Sequence, residues 1–213
     1  KAARVRVFEL GRVFMRDSQV ADGPLTVAGV HQPRRVAGLA YGSADSLQWG
    51  RKEQGLDFFD AKGDVQALLA PRQPVFKPAT HPALHPGRCA AVELDGQHIG
   101  HVGELHPKWR QAYELPQAPM LFELDLEAVL QTPVPLFQPV PRQQPVFRDV
   151  ALVVQDTVAH DALMASLRAD TGGLIQSTTL FDVYKPQMAV TGIAADKRSL
   201  AVRLELLDFS STL

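Results

Sequence analysis

Five prolines crowd one short stretch of the chain and divide it. Between Thr132 and Val146 lie Pro133, Pro135, Pro139, Pro141 and Pro145. Prolines at this spacing remove backbone donors and hold the chain extended, so neither a helix nor a central strand spans the stretch. Because periodic patterns resume on both sides, we predict a linker at 133–145 between domains at 1–132 and 146–213. A long surface loop within a single domain is the alternative interpretation.

Charge and composition exclude several classes of protein. The 213 residues carry 22 Lys+Arg and 23 Asp+Glu, a net charge of −1, which excludes a strongly basic nucleic-acid coat but not a local basic patch. The single cysteine, Cys89, excludes a disulfide framework and fits a reducing compartment. No apolar run approaches the ~20 residues of a membrane span. Because the chain begins at Lys1, within a strand pattern and without Met, we expect a piece cut from a longer protein.

Strand patterns outnumber helix patterns before the proline-rich stretch. Asp57 is typical of a helix N-cap, and Pro71 ends the predicted helix over 57–69. Gly63 within it costs roughly 1 kcal/mol relative to Ala, so we expect it to permit close packing. Asp95-Gly96 predicts a tight hairpin turn. The predicted strands are 4–8, 35–41, the hairpin 90–100 and 121–126. This is an α+β unit around a mostly antiparallel sheet.

The order β-α-β-β is predicted after the proline-rich stretch. Its elements are a strand at 148–154, a helix at 159–170 closed by Gly172-Gly173, and strands at 175–183 and 200–206. This order opens the ferredoxin-like β-α-β-β-α-β fold. Because the sequence stops at Leu213, we expect the last helix and strand of that fold to be missing.

Nothing in the sequence assembles a catalytic or metal centre. There is no P-loop, no dinucleotide-binding glycine motif, no Gly-x-Ser-x-Gly and no His-Glu-x-x-His. Pro82 and Pro86 directly follow His81 and His85, so these histidines are not on a helix. On an alternating strand His98 and His101 have opposite parity and are predicted on opposite faces. The full candidate cluster comprises His81, His85, Cys89, His98, His101 and His106. We therefore predict no metal site and interpret these as hydrogen-bonded loop histidines and a small buried cysteine.

Several segments match one known family in order along almost the whole chain. They are 8–14, 57–65, 85–88, 100–107, 122–126, 148–154, 181–184 and 198–204. They include Phe-Glu-Leu-Gly-Arg-Val-Phe, His-Pro-Gly-Arg and Gly-Glu-Leu-His-Pro. Together they resemble the β-subunit family of bacterial phenylalanyl-tRNA synthetases. Each motif alone would be weak, but their order makes the resemblance specific.

The resemblance implies two modules and a set of partners. Residues up to about 140 look like the synthetase-like domain of that subunit, a class II fold without an active site. Residues from about 141 look like its ferredoxin-fold anticodon-binding domain. The implied partners are a catalytic α subunit in an (αβ)2 assembly and the tRNA for phenylalanine, in the cytoplasm and without a membrane. The whole enzyme is implied to use ATP and Mg²⁺, with no cofactor held by this part.

The sequence agrees with a lost active site. Class II enzymes hold ATP with an Arg-x-Glu strand and with a later arginine after a glycine run. Arg6 stands three residues before Glu9, not two, and the strand at 121–126 carries neither the glycine run nor the arginine. The groups that stabilise charge in phosphoryl chemistry are thus absent. We predict no catalytic, cofactor-binding or metal-binding residue here, and no aminoacylation by this chain alone.

One face of the second predicted sheet is a candidate RNA surface. With Val150, Leu152, Leu200 and Val202 facing the helix, the other face is predicted to carry Asp149, Ala151, Val153, Gln176, Thr178, Tyr184, Ser199, Ala201 and Arg203. Tyr184 offers a ring for stacking, and Arg203 a fork for phosphate or a base edge. Backbone contacts are predicted for Arg142, Arg148, Lys185, Lys197 and Arg198. A packed strand aromatic is the alternative for Tyr184, and a solvated surface charge is the alternative for each basic residue.

Two other classes of function compete with this interpretation. One is a stand-alone regulatory protein whose ferredoxin-like module binds a small ligand, and the other is an unrelated hydrolase with a histidine site. Neither accounts for the ordered matches in the first 140 residues.

Overall fold

The computed structural model describes residues 3–131, 133–134, 136–137, 140–169, 172–185 and 193–209. The chain forms two compact units, Lys1–Val134 and Pro135–Leu213. The division falls within the proline-rich stretch, and the bounds of the linker, 133–145, stay a prediction. No helix in the part of the chain that the structure describes is long and apolar enough to cross a membrane.

The first unit is built on a six-stranded antiparallel sheet. Its elements are β1 (Arg4–Arg12), β2 (Met15–Arg16), β3 (Val30–His31), β4 (Arg34–Gly42), α1 (Phe58–Leu69), β5 (Val75–Pro78), β6 (Leu84–Leu94), β7 (Gln97–Leu105), α2 (Pro107–Ala112), β8 (Met120–Asp125) and α3 (Leu126–Leu130). The strand order of the large sheet is β1-β4-β8-β7-β6-β5, and β2 and β3 form a separate pair. The predicted mostly antiparallel α+β class is confirmed.

Local sequence signals determine where α1 begins and where the β6–β7 hairpin turns. The Asp57 carboxylate accepts hydrogen bonds from the backbone N–H groups of Phe59 (2.7 Å) and Asp60 (3.2 Å), and the Asp60 carboxylate accepts from Asp57 N–H (2.8 Å). This reciprocal capping box satisfies donors that the first helical turn leaves free. Asp95 and Gly96 have φ angles of 51° and 79°, as the predicted tight primed turn requires.

The core lies between α1 and one face of the large sheet. Val92, Val102 and Leu124, on three neighbouring strands, are 0% exposed and pack in the same cluster as Val65 of α1. The opposite face of the sheet, which we call the outer face of the first unit, carries the side chains of alternate residues.

The expected role of Gly63 is wrong. A Cβ atom built at Gly63 meets nothing within 4 Å beyond its own helix, so no close approach requires a glycine here. The residue is exposed and lies inside α1.

Gly63→Ala is therefore expected to stabilise the chain by about 0.5–1 kcal/mol, because alanine loses less backbone entropy on helix formation. Urea unfolding followed by far-UV circular dichroism measures the change. A lower midpoint for the alanine variant would contradict the open space found around this position.

The helix α3 was missed in the sequence. The strand β8 ends at Asp125, one residue earlier than predicted, because the Asp125 carboxylate accepts from the backbone N–H groups of Glu127 (3.0 Å) and Ala128 (3.2 Å) and so starts a helix. The alternating pattern of 121–126 hid this cap.

The second unit has the predicted β-α-β-β order. Its elements are β9 (Val146–Gln155), α4 (His160–Arg168), β10 (Ile175–Tyr184) and β11 (Lys197–Leu206), with an antiparallel strand order β10-β11-β9. Leu200 and Val202 of the central strand are buried, as is Met164 of α4. The C-cap of α4 is Ala169, so the predicted closure at Gly172-Gly173 is wrong. Asp170, the predicted last residue of this helix, lies outside the described residues.

Candidate nucleic-acid interface

The central strand β11 defines the exposed face of the second unit. Leu200 and Val202 point into the core, so the alternate residues Ser199, Ala201 and Arg203 point away from α4. We call this side the outer face of the second unit. Unbroken pairing with β9 continues the alternation, because Arg203 lies opposite Asp149 and Ser199 lies opposite Val153.

Tyr184 ends β10 on this outer face. It lies opposite Ser199, and 44% of its surface is exposed. Val183, the residue before it, pairs with the buried Leu200 and so points the other way. The Tyr184 ring is thus available to a planar ligand.

Arg203 is clamped by a carboxylate on the neighbouring strand. Its Nε donates to Asp149 Oδ1 and its Nη2 to Asp149 Oδ2, both at 2.8 Å. These bonds lower the pKa of Asp149 below its usual range and raise that of Arg203. The Arg203 Cζ also lies 5.4 Å from the centroid of the Phe181 ring, within cation–π range. The sequence did not reveal this three-residue arrangement.

A β-bulge corrects the predicted face of β10. The pairing register between β10 and β11 shifts between Leu180 and Asp182. The Thr178 hydroxyl accepts a hydrogen bond from Arg168 Nε of α4 (3.1 Å), so Thr178 faces the helix and not the outer face. Gln176 donates to the carbonyls of Gly173 (3.0 Å) and Leu207 (3.4 Å) at the end of the sheet. The predicted face follows from side chains that alternate along the whole strand, and one extra residue in β10 breaks this alternation.

The other predicted contacts are dispersed. Lys197, half-buried, shares the outer face with Tyr184 and Arg203, whereas Arg148 and Arg198 belong to the opposite side of the sheet. Arg148 Nη1 donates to the Phe147 carbonyl (3.0 Å), and Arg198 Nη2 donates to the Val158 carbonyl (2.7 Å). Lys185 pairs with the Asp156 carboxylate, and Arg142 is exposed outside the strands. The structure therefore places three of the seven predicted residues on one face, spread along β11 and the end of β10: Tyr184, Lys197 and Arg203.

The outer face of the first unit carries a histidine-lined cavity of about 820 Å³. The His101 ring centroid lies 4.7 Å from that of His98 and 5.0 Å from that of His81. The prediction that His98 and His101 face opposite sides is wrong, because the β6–β7 register shifts between Val92 and Glu93. Among the described residues, no three His, Cys, Asp or Glu side chains form a group that could hold a metal ion.

Hydrogen bonds and burial account for several of the remaining candidates. His81, His85 and His106 each accept, at Nδ1, a hydrogen bond from a backbone N–H group two residues later, at 3.2, 3.0 and 3.0 Å. Cys89 is buried, and burial raises the pKa of its thiol. A raised pKa disfavours the reactive thiolate.

The histidine cluster predicts a pH dependence of stability. Burial is the main cause that lowers the pKa of His101, and the charges of His98 and His81 lower it further. Glu123 lies opposite His101 across the β7–β8 ladder. The unfolded chain therefore binds a proton at His101 more readily than the folded chain does. The contribution of neutral His101 to stability is complete above the unfolded pKa of about 6.5, and it is lost as the pH falls from there towards the folded pKa. His101→Gln is expected to reduce the fall in Tm between about pH 7.5 and 5.5. Thermal melts across this range measure it, and an unchanged slope would contradict the assignment.

Two family models match the chain. One, described as phenylalanyl tRNA synthetase beta chain CLM domain, matches residues 1–126, which is more than half of the chain. The other, described as ferredoxin-fold anticodon binding domain, matches residues 141–213. The chain belongs to the phenylalanyl-tRNA synthetase beta chain family. The predicted family is thus confirmed.

Curated relatives of this family match the whole chain. The phenylalanine–tRNA ligase beta subunits of Ralstonia nicotianae and Cupriavidus pinatubonensis are each 50% identical over 218 residues, covering 100% of this chain and 27% of the relative. The beta subunit of Dechloromonas aromatica is 46% identical over 213 residues, covering 100% of this chain and 26% of the relative. The chain therefore spans about a quarter of the length of these relatives.

Arg6 and Glu9, the two β1 residues compared with the Arg-x-Glu motif that holds ATP, lie on opposite sides of the sheet. Arg6 Nη1 donates to both carboxylate oxygens of Asp64 on α1, at 2.9 and 2.6 Å, so Arg6 lies on the helix side of the sheet. Glu9 lines the cavity on the outer face. Arg6 and Glu9 thus act on opposite sides of the sheet and do not form one nucleotide-binding pair.

Proposed function

We propose that this chain is a non-catalytic part of the β subunit of phenylalanine–tRNA ligase. In this role it supports the catalytic α subunit in a cytoplasmic (αβ)2 enzyme and binds tRNA near the anticodon while the whole enzyme charges it, using ATP and Mg²⁺. Membership of the synthetase beta-chain family supports the role as an enzyme subunit. The ferredoxin-fold anticodon-binding match over residues 141–213 supports the tRNA-binding role.

The observation that carries the proposal is the outer face of the second unit. It combines an exposed aromatic ring at Tyr184 with an exposed guanidinium at Arg203, on one face of a three-stranded sheet. Unpaired RNA bases are recognised by stacking on aromatic rings and guanidinium planes, whereas paired bases do not expose their faces. A hairpin loop of tRNA presents such unpaired bases.

The charge of this face favours base contacts over phosphate attraction. Asp149 compensates Arg203, and Asp156 compensates Lys185. With a net chain charge of −1, long-range attraction of a polyanion is small. Binding of RNA by this chain alone is therefore expected to be weak.

The first unit supports the enzyme without performing chemistry. Arg6 is held by Asp64 on the helix side, away from Glu9, so β1 lacks the arrangement that would hold a nucleotide. This chain alone is expected to give no phenylalanine-dependent pyrophosphate exchange. Exchange above background with the purified chain would contradict the non-catalytic role.

Measuring tRNA affinity tests the proposed surface directly. In the enzyme reconstituted from a full-length β subunit and its catalytic partner, Tyr184→Ala is expected to raise the Kd for tRNA about 5- to 50-fold, the loss of one stacked base. Tyr184→Phe keeps the ring and is the matched control, expected within about twofold of the parent. Equal Kd values for all three proteins would remove Tyr184 from the RNA surface.

A further inference from the structure

Asp149 and Arg203 form a surface ion pair whose geometry is better defined than that of most exposed pairs. Their side chains are 47% and 53% exposed, yet two parallel hydrogen bonds of 2.8 Å join them. Exposed ion pairs usually contribute little because two long side chains must be held in one geometry. The bidentate fork reduces that cost, since it fixes the guanidinium plane with both bonds at once.

Phe181 supports the same guanidinium from a second direction. Its ring is 53% exposed, and the Arg203 Cζ lies 5.4 Å from its centroid. The bulge between Leu180 and Asp182 allows this contact, because Phe181 is the extra residue of β10 at that point. Arg203 is therefore held in its plane by Asp149, with the Phe181 ring within cation–π range of its Cζ.

The clamp changes what Arg203 offers a ligand. Nε and Nη2 are engaged by Asp149, and the carboxylate compensates the positive charge. A free phosphate would find a compensated cation beside a carboxylate, which is a poor site for an anion. A planar, weakly hydrated guanidinium that is half exposed and fixed in its plane is instead a stacking surface.

We infer that Asp149 is a positioning residue that holds Arg203 as a second platform for an unpaired RNA base. The inference rests on the proposed tRNA-binding function and names the chemistry of this part of the surface. Arg203 and Ser199, the partner of Tyr184, are four residues apart on β11, or ~13 Å at the strand rise of ~3.3 Å per residue. Neighbouring stacked bases lie ~3.4 Å apart. An RNA segment that contacts both Tyr184 and Arg203 must therefore hold those two bases apart, unstacked from each other.

The sign of the effect of Asp149→Ala distinguishes positioning from simple electrostatics. Removing a carboxylate beside a polyanion tightens binding if charge alone matters. The positioning role predicts the reverse: a Kd for tRNA raised about 5- to 20-fold in the reconstituted full-length enzyme, because the platform is no longer fixed. Asp149→Glu, which keeps the carboxylate, is expected to recover most of the affinity. Tighter or unchanged binding by Asp149→Ala would overturn the inference.

Salt dependence separates stacking from phosphate contact. Arg203→Ala is expected to weaken binding by a similar factor while the slope of log Kd against log salt stays within ~0.3 of the parent, whereas loss of a phosphate contact reduces that slope by ~0.7–0.9. A reduced slope would overturn the stacking role.

The double variant Asp149→Ala/Arg203→Ala should bind tRNA no more weakly than Arg203→Ala alone, because Asp149 acts through Arg203. An additive loss would contradict this.

Stability and Tyr184 complete the test. Phenylalanine-dependent pyrophosphate exchange and the Tm are expected to be unchanged in Asp149→Ala, since the pair is on the surface. A fall in Tm and in both activities together would make the pair structural and the inference wrong. If Tyr184→Ala weakens tRNA binding and Asp149→Ala does not, the proposed function stands and this inference fails. If neither does, the proposed function fails as well.

Discussion

Gly100→Ala is expected to lower the free energy of unfolding of the first unit by at least ~3 kcal/mol. Gly100 lies in β7 with φ at +154°, a region that residues with a side chain rarely adopt. A Cβ atom there would lie 2.0 Å from the Glu123 carbonyl oxygen and 2.8 Å from Leu124 Cα. Both are backbone atoms of β8, which is paired on both edges, by β4 and β7, and cannot move aside without breaking the sheet.

Tryptophan fluorescence during urea unfolding measures this effect through Trp109, which is half-buried in the first unit, whereas Trp49 is fully exposed. Gly55→Ala is the matched control, since a Cβ at Gly55 meets nothing within 4 Å and its φ is not in the left-handed region. The control is expected within ~0.5 kcal/mol of the parent. A Gly100→Ala midpoint equal to that of the control would mean that the close approach of β7 and β8 is wrong.

Leu124→Ala is expected to cost about 2–5 kcal/mol through a cavity at the centre of the same unit. Leu124 is 0% exposed and lies in the core cluster with Val92 and Val102. The neighbouring strands hold the cavity open, because they are hydrogen-bonded on both sides of β8.

Leu47→Ala provides the contrast for this substitution. Leu47 is 96% exposed, so truncating it should change stability by less than ~0.5 kcal/mol. The same fluorescence-detected urea unfolding applies to both variants. Equal losses for Leu124→Ala and Leu47→Ala would contradict the placement of the core between α1 and the sheet.

Elements with local signals were predictable from the sequence. The α1 helix carries its own capping box at Asp57 and Asp60, and the hairpin carries its own turn at Asp95-Gly96. These features depend on residues within a few positions of one another, so reading the sequence suffices. The helix α3 was hidden because Asp125 continues a strand pattern and caps a helix at the same time.

Features that depend on strand register were not predictable. Bulges in β6–β7 and in β10 reverse the expected faces of His98 and Thr178, and no local signal marks the extra residue. The candidate site shows the same limit. Tyr184 and Arg203 are suggested by residue type, but the clamp by Asp149 depends on β9 pairing with β11 across 54 residues of sequence.

We propose that the outer face of the second unit binds tRNA without taking part in amino-acid activation. The most direct measurement compares two reactions of the reconstituted enzyme carrying Tyr184→Ala: tRNA aminoacylation and phenylalanine-dependent pyrophosphate exchange. If Tyr184 stacks on a tRNA base, kcat/KM for tRNA falls about 5- to 50-fold, as loss of one stacked base implies, while exchange and the Tm stay at parental values. If Tyr184→Ala lowers the Tm and both reactions together, the ring is a structural strand residue and not part of an RNA surface.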